Sequence, residues 1–279
     1  MPRMPRLKTI GALLCALLLS PLMAEAKPPK KPKPKPKPGN QQEQPKPESQ
    51  GEPQRPAEQP APPQVSQADR LLWEYKTGEA RSTLQAVAGQ ADQNGPVSAA
   101  LGRVSEQEKK YGEAESRLRK ATELAPADPA SWVYLGEVYL RQKKNGEADS
   151  AFRKAADAAR SKGGGESAYY LGVAQQRLRQ YDEAISTFSG ASAPDPALIP
   201  YQIGVTRSFQ ENWPAALEQL NRAIEMNSRL AYAYYYRGLV QEKLGRKDQL
   251  VGDMENFLAL APDAPEAERA KAILRAVKR

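Results

Sequence analysis

Five glycines set the frame of this chain. Gly102, Gly136, Gly172, Gly204 and Gly238 follow one another at spacings of 34, 36, 32 and 34 residues. Twelve residues after each of the first four stands an alanine: Ala114, Ala148, Ala184 and Ala216. Seven further on stands another: Ala121, Ala155, Ala191 and Ala223. Between them lie Leu118, Phe152, Phe188 and Leu220, and prolines punctuate the units at Pro126, Pro196 and Pro262. A fixed period of this length means a stack of similar supersecondary units.

Within a unit the apolar residues recur at helical spacing. Leu135, Val138 and Tyr139 form one stripe, and Ala148, Ala151, Phe152 and Ala155 form the next. Glycine and alanine recur where two helices must approach closely, and Phe or Leu fills the space beside them. Asp128 before Pro129 reads as a helix cap and start, and Pro214 falls in a first turn. Glu113, Asp182 and Glu183 sit where a helix dipole favours acid. The Ala125–Pro126 and Ala261–Pro262 steps end helices.

The unit around Gly136 reads Trp132-x2-Leu135-Gly136-x2-Tyr139, then Ala148-x3-Phe152-x2-Ala155. This resembles the tetratricopeptide repeat family, W-x2-L-G-x2-Y followed by A-x3-F and A. The resemblance implies an all-α fold: an α-solenoid of tandem helix-turn-helix repeats, wound as a right-handed superhelix with a concave groove. Five repeats are expected at 95–128, 129–164, 165–196, 197–230 and 231–264. Residues 64–94 read as a degenerate repeat, with Leu71, Leu72 and Tyr75 in one stripe, a turn at Gly78, and Leu84 and Val87 in a second. Residues 265–279 read as a C-terminal capping helix. Two departures stand out. The 129–164 unit runs into Gly163-Gly164-Gly165, either a lengthened turn or a swivel between half-solenoids. In 231–264, Leu250 and Phe257 replace the paired alanines, so close packing there should relax.

The N-terminal quarter has a different character. Arg3, Arg6 and Lys8 precede an apolar stretch from Ile10 to Met23, and Ala24-Glu25-Ala26 ends it. Residues 1–26 are therefore expected to be a signal peptide cleaved after Ala26, placing the protein in the periplasm or cell envelope. An uncleaved N-terminus would be its one membrane contact. Leu14 before Cys15 does not suit a lipoprotein signal. Residues 27–63 read as a disordered Pro/Lys-rich linker, beginning with the alternating run from Lys27 to Pro38. This linker carries eight Lys/Arg against four Glu, whereas residues 64–279 carry 30 against 28. The net +8 of the chain therefore belongs mostly to its N-terminal quarter, not to the repeats. The linker is a solvated spacer, or else Lys27 to Lys37 touches an anionic envelope polymer. Lacking interleaved aromatics, it does not suit nucleic acid.

The chain has no histidine and only Cys15 as a thiol. This excludes histidine-based catalysis, an internal disulfide and a Cys/His metal site. No cofactor or metal is expected, and no enzyme activity. Glu137 and Glu166, the acidic groove residues, lie on neighbouring units without a paired carboxylate.

In the resembled family, ligands lie in the groove lined by the first helix of each repeat. Counting from the aligned glycines, the groove positions here include Val133, Arg141, Tyr169, Val173, Arg177, Tyr201, Val205, Phe209, Tyr235, Leu239 and Lys243. Tyrosine offers large contact area with few rotamers to freeze, and arginine suits carboxylates. These residues are expected to hold a partner peptide or helix, making the chain a protein-protein interaction scaffold of the bacterial cell envelope. The alternative is a polyanion tether acting through the basic arm, with the solenoid as a passive head. Some members of the family grip a peptide carboxylate with Lys and Asn at groove positions. Tyr, Val and Leu stand there here, so that grip is not carried over.

Overall fold

The computed structural model describes residues 59–277. The expected signal peptide and nearly all of the expected linker lie outside the described residues. Among the described residues there are thirteen α-helices and no strand. They pair as hairpins: α1 (Pro63–Trp73) with α2 (Thr77–Gln85), α3 (Gly95–Gln107) with α4 (Tyr111–Leu124), and α5 (Pro129–Arg141) with α6 (Asn145–Lys162). Then come α7 (Gly165–Arg177) with α8 (Tyr181–Ser189), α9 (Leu198–Phe209) with α10 (Trp213–Met226), and α11 (Ala231–Lys243) with α12 (Lys247–Leu260). α13 (Ala267–Val277) closes the stack. Each first helix packs on its own second helix and also on the first helix of a neighbouring repeat. The result is a tandem α-solenoid.

The recurring glycines are contact points. A Cβ on Gly136 would stand 2.6 Å from the Phe152 ring, and one on Gly172 would stand 2.6 Å from Phe188. The same relation, sixteen residues apart, links Gly102 to Leu118, Gly204 to Leu220 and Gly238 to Met254. The first helix presents a bare backbone and the second inserts a large side chain against it. Phe152, Phe188, Leu118, Leu220 and Met254 are all fully buried. The last repeat does not loosen at this contact: Leu250, Met254 and Phe257 are buried as deeply as their counterparts. Larger side chains at the alanine positions are matched by methionine at the knob, which adapts its shape to fit.

The 64–94 segment follows the same frame with alanine in place of glycine. Ala68 lies 34 residues before Gly102, and Ala80, Leu84 and Val87 follow it by 12, 16 and 19, all four buried. Its turn differs from expectation. Gly78 lies inside α2, and the reversal occurs at Glu74 to Lys76, with Tyr75 at φ 60°. All six first helices end the same way. In α1, the Lys76 amide donates to the Leu71 carbonyl and Tyr75 to Leu72; in α5, Lys144 donates to Tyr139 and Lys143 to Leu140. This paired bonding satisfies carbonyls that the helix end would leave free. Tyr75, Lys109, Lys143, Arg179 and Glu211 adopt the left-handed conformation there, and glycine takes it only at Gly245.

The caps match their residues. The Asp128 side chain accepts from the amides of Ala130 and Ser131 at the start of α5. Glu113, Asp182 and Glu183 fall in first turns of α4 and α8. The irregular spacing has a structural cause. α6 runs for 18 residues and α8 for only 9. Gly163 and Gly164 turn the chain between α6 and α7 at φ 67° and 84°. α8 ends at Ser189, so Ala191 lies beyond the helix rather than in it, half-buried.

Candidate groove and its aromatic cavity

The stack curls until its first and last turns meet. Tyr75, after α1, packs its ring 5.9 Å from that of Tyr232 in α11. Glu74 forms an ion pair with Arg229 at 3.0 Å. Arg141 on α5 reaches Glu266, before α13, at 2.7 Å and Glu106 on α3 at 3.4 Å. The Tyr232 hydroxyl donates to the other oxygen of Glu266. These contacts span the concave face and enclose a cavity of about 190 Å³.

Aromatic rings form its wall: Trp73, Tyr75, Tyr134, Tyr170, Tyr201 and Tyr236, joined by Tyr169 and Tyr232. The rings contact one another in pairs. Tyr134 and Tyr170 meet edge to face at 6.1 Å, with hydroxyls 3.1 Å apart. Tyr201 and Tyr236 meet at 6.0 Å. Arg103 lies over both Trp73 and Tyr134, at 5.0 and 4.4 Å, while Nη1 reaches Asp69 at 2.5 Å. Arginine stacked on aromatic faces is attracted by the ring quadrupole, all the more where water is excluded.

Charge in the cavity is balanced in pairs. Arg177 engages Glu137 through Nε at 2.5 Å. Burial pushes the Glu106 carboxyl above its ordinary range, Arg141 opposes this, and Glu137 adds to it. Burial likewise raises Asp69, against the pull of Arg103. Burial lifts the Tyr134 hydroxyl to about 12. Carboxylates so deep in the groove depend on arginine partners, because an unpaired buried charge costs several kcal/mol.

Polar groups without partners remain. The Trp73 Nε1 is sealed from solvent and has no hydrogen-bond partner, which costs about 1–3 kcal/mol. Behind the wall, the Gln176 amide donates to Thr206 Oγ1 at 2.7 Å, and Gln202 donates to the Tyr169 hydroxyl at 3.3 Å. This buried network ties α7 to α9.

Of the groove residues expected from the sequence, Val133, Arg141, Tyr169, Val173, Arg177 and Tyr201 line the cavity. The other five lie elsewhere. Val205 is buried beside Leu220 in the core. Tyr235 is buried against Phe257 at 4.9 Å, and Leu239 packs on the same cluster. Phe209 is 37% exposed and faces Tyr181, and Lys243 lies over Trp213. Toward the C-terminus the counted register packs into the core or against the preceding repeat rather than the cavity. The position two residues before the glycine was not counted, yet it supplies Tyr134, Tyr170, Gln202 and Tyr236. Tyrosine two before Gly136, Gly172 and Gly238 was a readable signal. Glu137 meets Arg177, while Glu166 lies in the first turn of α7, away from the cavity. Among the described residues no group of His, Cys, Asp or Glu is placed to hold a metal, and no helix is long and apolar enough to cross a membrane.

Helix hairpins in register, a glycine against a buried knob in every full repeat and a cavity on the first helices define a tetratricopeptide solenoid. Residues 99–163 match one tetratricopeptide repeat family model and residues 208–275 match another. These two segments carry tetratricopeptide repeats. No curated protein sequence matches it. Among solved structures, human IFIT1, a dimer with PPP-AAAA, is similar at a TM-score of 0.56 and 15% identity, covering 75% of this chain and 52% of that one. The APC/C hetero-tetramer Cut9–Hcn1 is similar at 0.52 and 16%, covering 77% and 42%. This chain thus spans less than half of that one. The tetratricopeptide protein TTC0263 of Thermus thermophilus is similar at 0.51 and 18%, covering 65% and 99%. At these identities the likeness is one of fold alone.

Proposed function

We propose that this protein is an interaction scaffold of the bacterial cell envelope whose groove takes an extended segment of a partner protein. One observation carries the reading: eight aromatic rings and three arginines converge on one concave cavity. Such groups dominate recognition surfaces because they bury large areas at small entropic cost. An extended segment fits better than a helix. The walls meet at Tyr75–Tyr232 and Arg141–Glu266, and a helix 10–12 Å across would have to part them. The envelope setting rests on the signal-like residues 1–26.

The test is in-cell cross-linking from a photoreactive group at Tyr134, which also lines the cavity, with mass spectrometry of the partners. A discrete partner set, lost in the Tyr201→Ala/Tyr236→Ala variant, is the expected result. An unchanged set in that variant would sink the groove assignment. N-terminal sequencing of the exported chain should find Lys27 first.

A further inference from the structure

We infer that the start of α7 is a binding site for a carboxylate group supplied by a partner molecule. The site lies at the glycine run between α6 and α7, outside the aromatic cavity, and is independent of the groove.

Two repeats set side by side show what the second one lacks. Asp128 and Ser131 stand 36 residues before Gly164 and Ser167, the same offset that separates Gly136 from Gly172. In α5 the Asp128 carboxylate fills the helix start. Its Oδ1 accepts from the Ala130 amide at 3.3 Å, and its Oδ2 accepts from the Ser131 amide at 3.0 Å and the Ser131 hydroxyl at 2.6 Å. In α7 the residue in that place is Gly164, which has no side chain to offer. The amides of Gly165, Glu166 and Ser167 therefore meet no acceptor among the described residues. The first amide to find one is that of Ala168, which donates to the Gly164 carbonyl at 3.0 Å.

A side chain points the same way. Ser167 is only 5% exposed, yet its hydroxyl bonds to no described residue, whereas that of Ser131 does. Ser167 lines a cavity of about 210 Å³ together with Asp128, Lys162, Gly163, Gly164 and Glu166. A bare helix start is common, but a buried hydroxyl without a partner is not. Gly163 and Gly164 carry the chain around this space at φ 67° and 84°, in a backbone that other residues adopt poorly. A Cβ on either would meet nothing within 4 Å. The space over the helix start is open rather than packed.

The donors name the ligand. Free amides, a hydroxyl and the positive end of a helix dipole suit an acceptor with negative charge. Lys162 borders the same cavity and adds to the attraction. Asp128 and Glu166 border it too and set the upper limit of charge. A phosphate group, with close to two negative charges, would meet both of them. Asp128 opposes a ligand least, since its two oxygens already serve the donors of α5. A singly charged carboxylate keeps the repulsion small and repeats at α7 what Asp128 does at α5. It can come from the C-terminus of a peptide or from an acidic side chain.

The experiment uses the full chain labelled with 15N-serine. Sodium acetate is titrated against sodium chloride at constant ionic strength. The Ser167 and Ser131 amides are assigned from the Ser167→Ala and Ser131→Ala variants. Ser131 is the internal control, because it holds the same position with its carboxylate already in place. The expected result is a saturable shift of the Ser167 amide with acetate and no movement of Ser131. Acetamide, which keeps the shape and lacks the charge, should shift neither. A shift with acetamide as large as with acetate, equal shifts at both serines, or none at either would overturn the proposal. In the Ser167→Ala chain, checked for helix content by circular dichroism and followed at the Glu166 amide, acetate should bind at least about fivefold more weakly, because one charge-assisted hydrogen bond is gone. Unchanged affinity there would overturn it too, since the buried hydroxyl is what marks this helix start. Two further ligands distinguish the sources. N-acetylglycine presents a terminal carboxylate, and N-acetylaspartic acid α-amide presents a side-chain one. Tighter binding of the first assigns the carboxylate to a chain end, and of the second to a side chain. Binding of neither, where acetate binds, would overturn a ligand supplied by a partner.

Discussion

Arg141 Nη1 stands 2.7 Å from Glu266 Oε1, although 125 residues separate them in the chain. Their meeting closes the concave face. Arg141 also reaches Glu106, and Glu266 also takes the Tyr232 hydroxyl, so one guanidinium holds three helical units together. Arg141→Ala leaves two carboxylates facing each other in a half-buried space. The expected loss is roughly 2–3 kcal/mol, below the full cost of breaking a buried pair because both side chains keep some water. Urea unfolding of variant and native chain measures it. A loss under about 0.5 kcal/mol would mean that the two ends meet only as solvated surface charges.

The glycine-to-knob contact gives a second prediction. Gly136→Ala places a methyl 2.6 Å from the Phe152 ring, and a ring held by a packed core cannot retreat freely. The expected cost is about 1–3 kcal/mol. Phe152→Ala alone should cost about 3–5 kcal/mol. Combined, the two should cost at least about 1 kcal/mol less than their sum, since the new methyl fills part of the vacated space. Additive losses in a double-mutant cycle would show that the two residues do not compete for one volume.

The helix ends offer a stabilising change. Lys143 is exposed and holds φ 61° at the end of α5, where a Cβ is strained and glycine is not. Lys143→Gly should raise stability by about 0.5–1 kcal/mol, the relieved strain exceeding the added freedom of the unfolded chain. Thermal unfolding tests this, and a lowered midpoint would contradict it.

Acid should act on the groove through Glu106. Its carboxyl is raised by burial, with Arg141 opposing and Glu137 adding, so the folded state binds the proton more tightly than the unfolded state. That contribution to stability is complete below the ordinary carboxylate range and is lost as pH rises through the folded value. Glu106→Gln removes the dependence while keeping the shape, and Arg141 retains Glu266. The variant should therefore gain on the native chain as pH rises from about 4 to 7, and the gain should vanish at the acid end. Melting curves across that window check it; a gain that grew toward acid would reverse the assignment.

Legibility divided along the length scale of the forces. Gly136 and Phe152 are sixteen residues apart and form one hairpin, so their contact could be read from spacing. The Asp128 cap and the breaks after Ala125 and Ala261 were equally local. The Gly78 turn was misplaced because any residue can sit at the left-handed end of these helices, and Tyr75 does. The repeat at Ala68 was readable only in part, because alanine stands in for the glycine that marks the others. Groove positions counted from the glycines held in the middle repeats. They failed at Val205, Tyr235 and Leu239, where the same positions face core rather than cavity.

By itself the sequence determined the unit: two helices, their ends, the glycine and the knob that lock them, and the number of times they recur. Each of those rests on contacts within about 35 residues, where pattern and chemistry act directly. Only the tertiary structure decided that Tyr75 meets Tyr232 and Arg141 meets Glu266. The small rotation from one repeat to the next accumulates over the stack, and no single repeat encodes the sum. The aromatic cavity follows from that sum, as does the choice of which tyrosines face it.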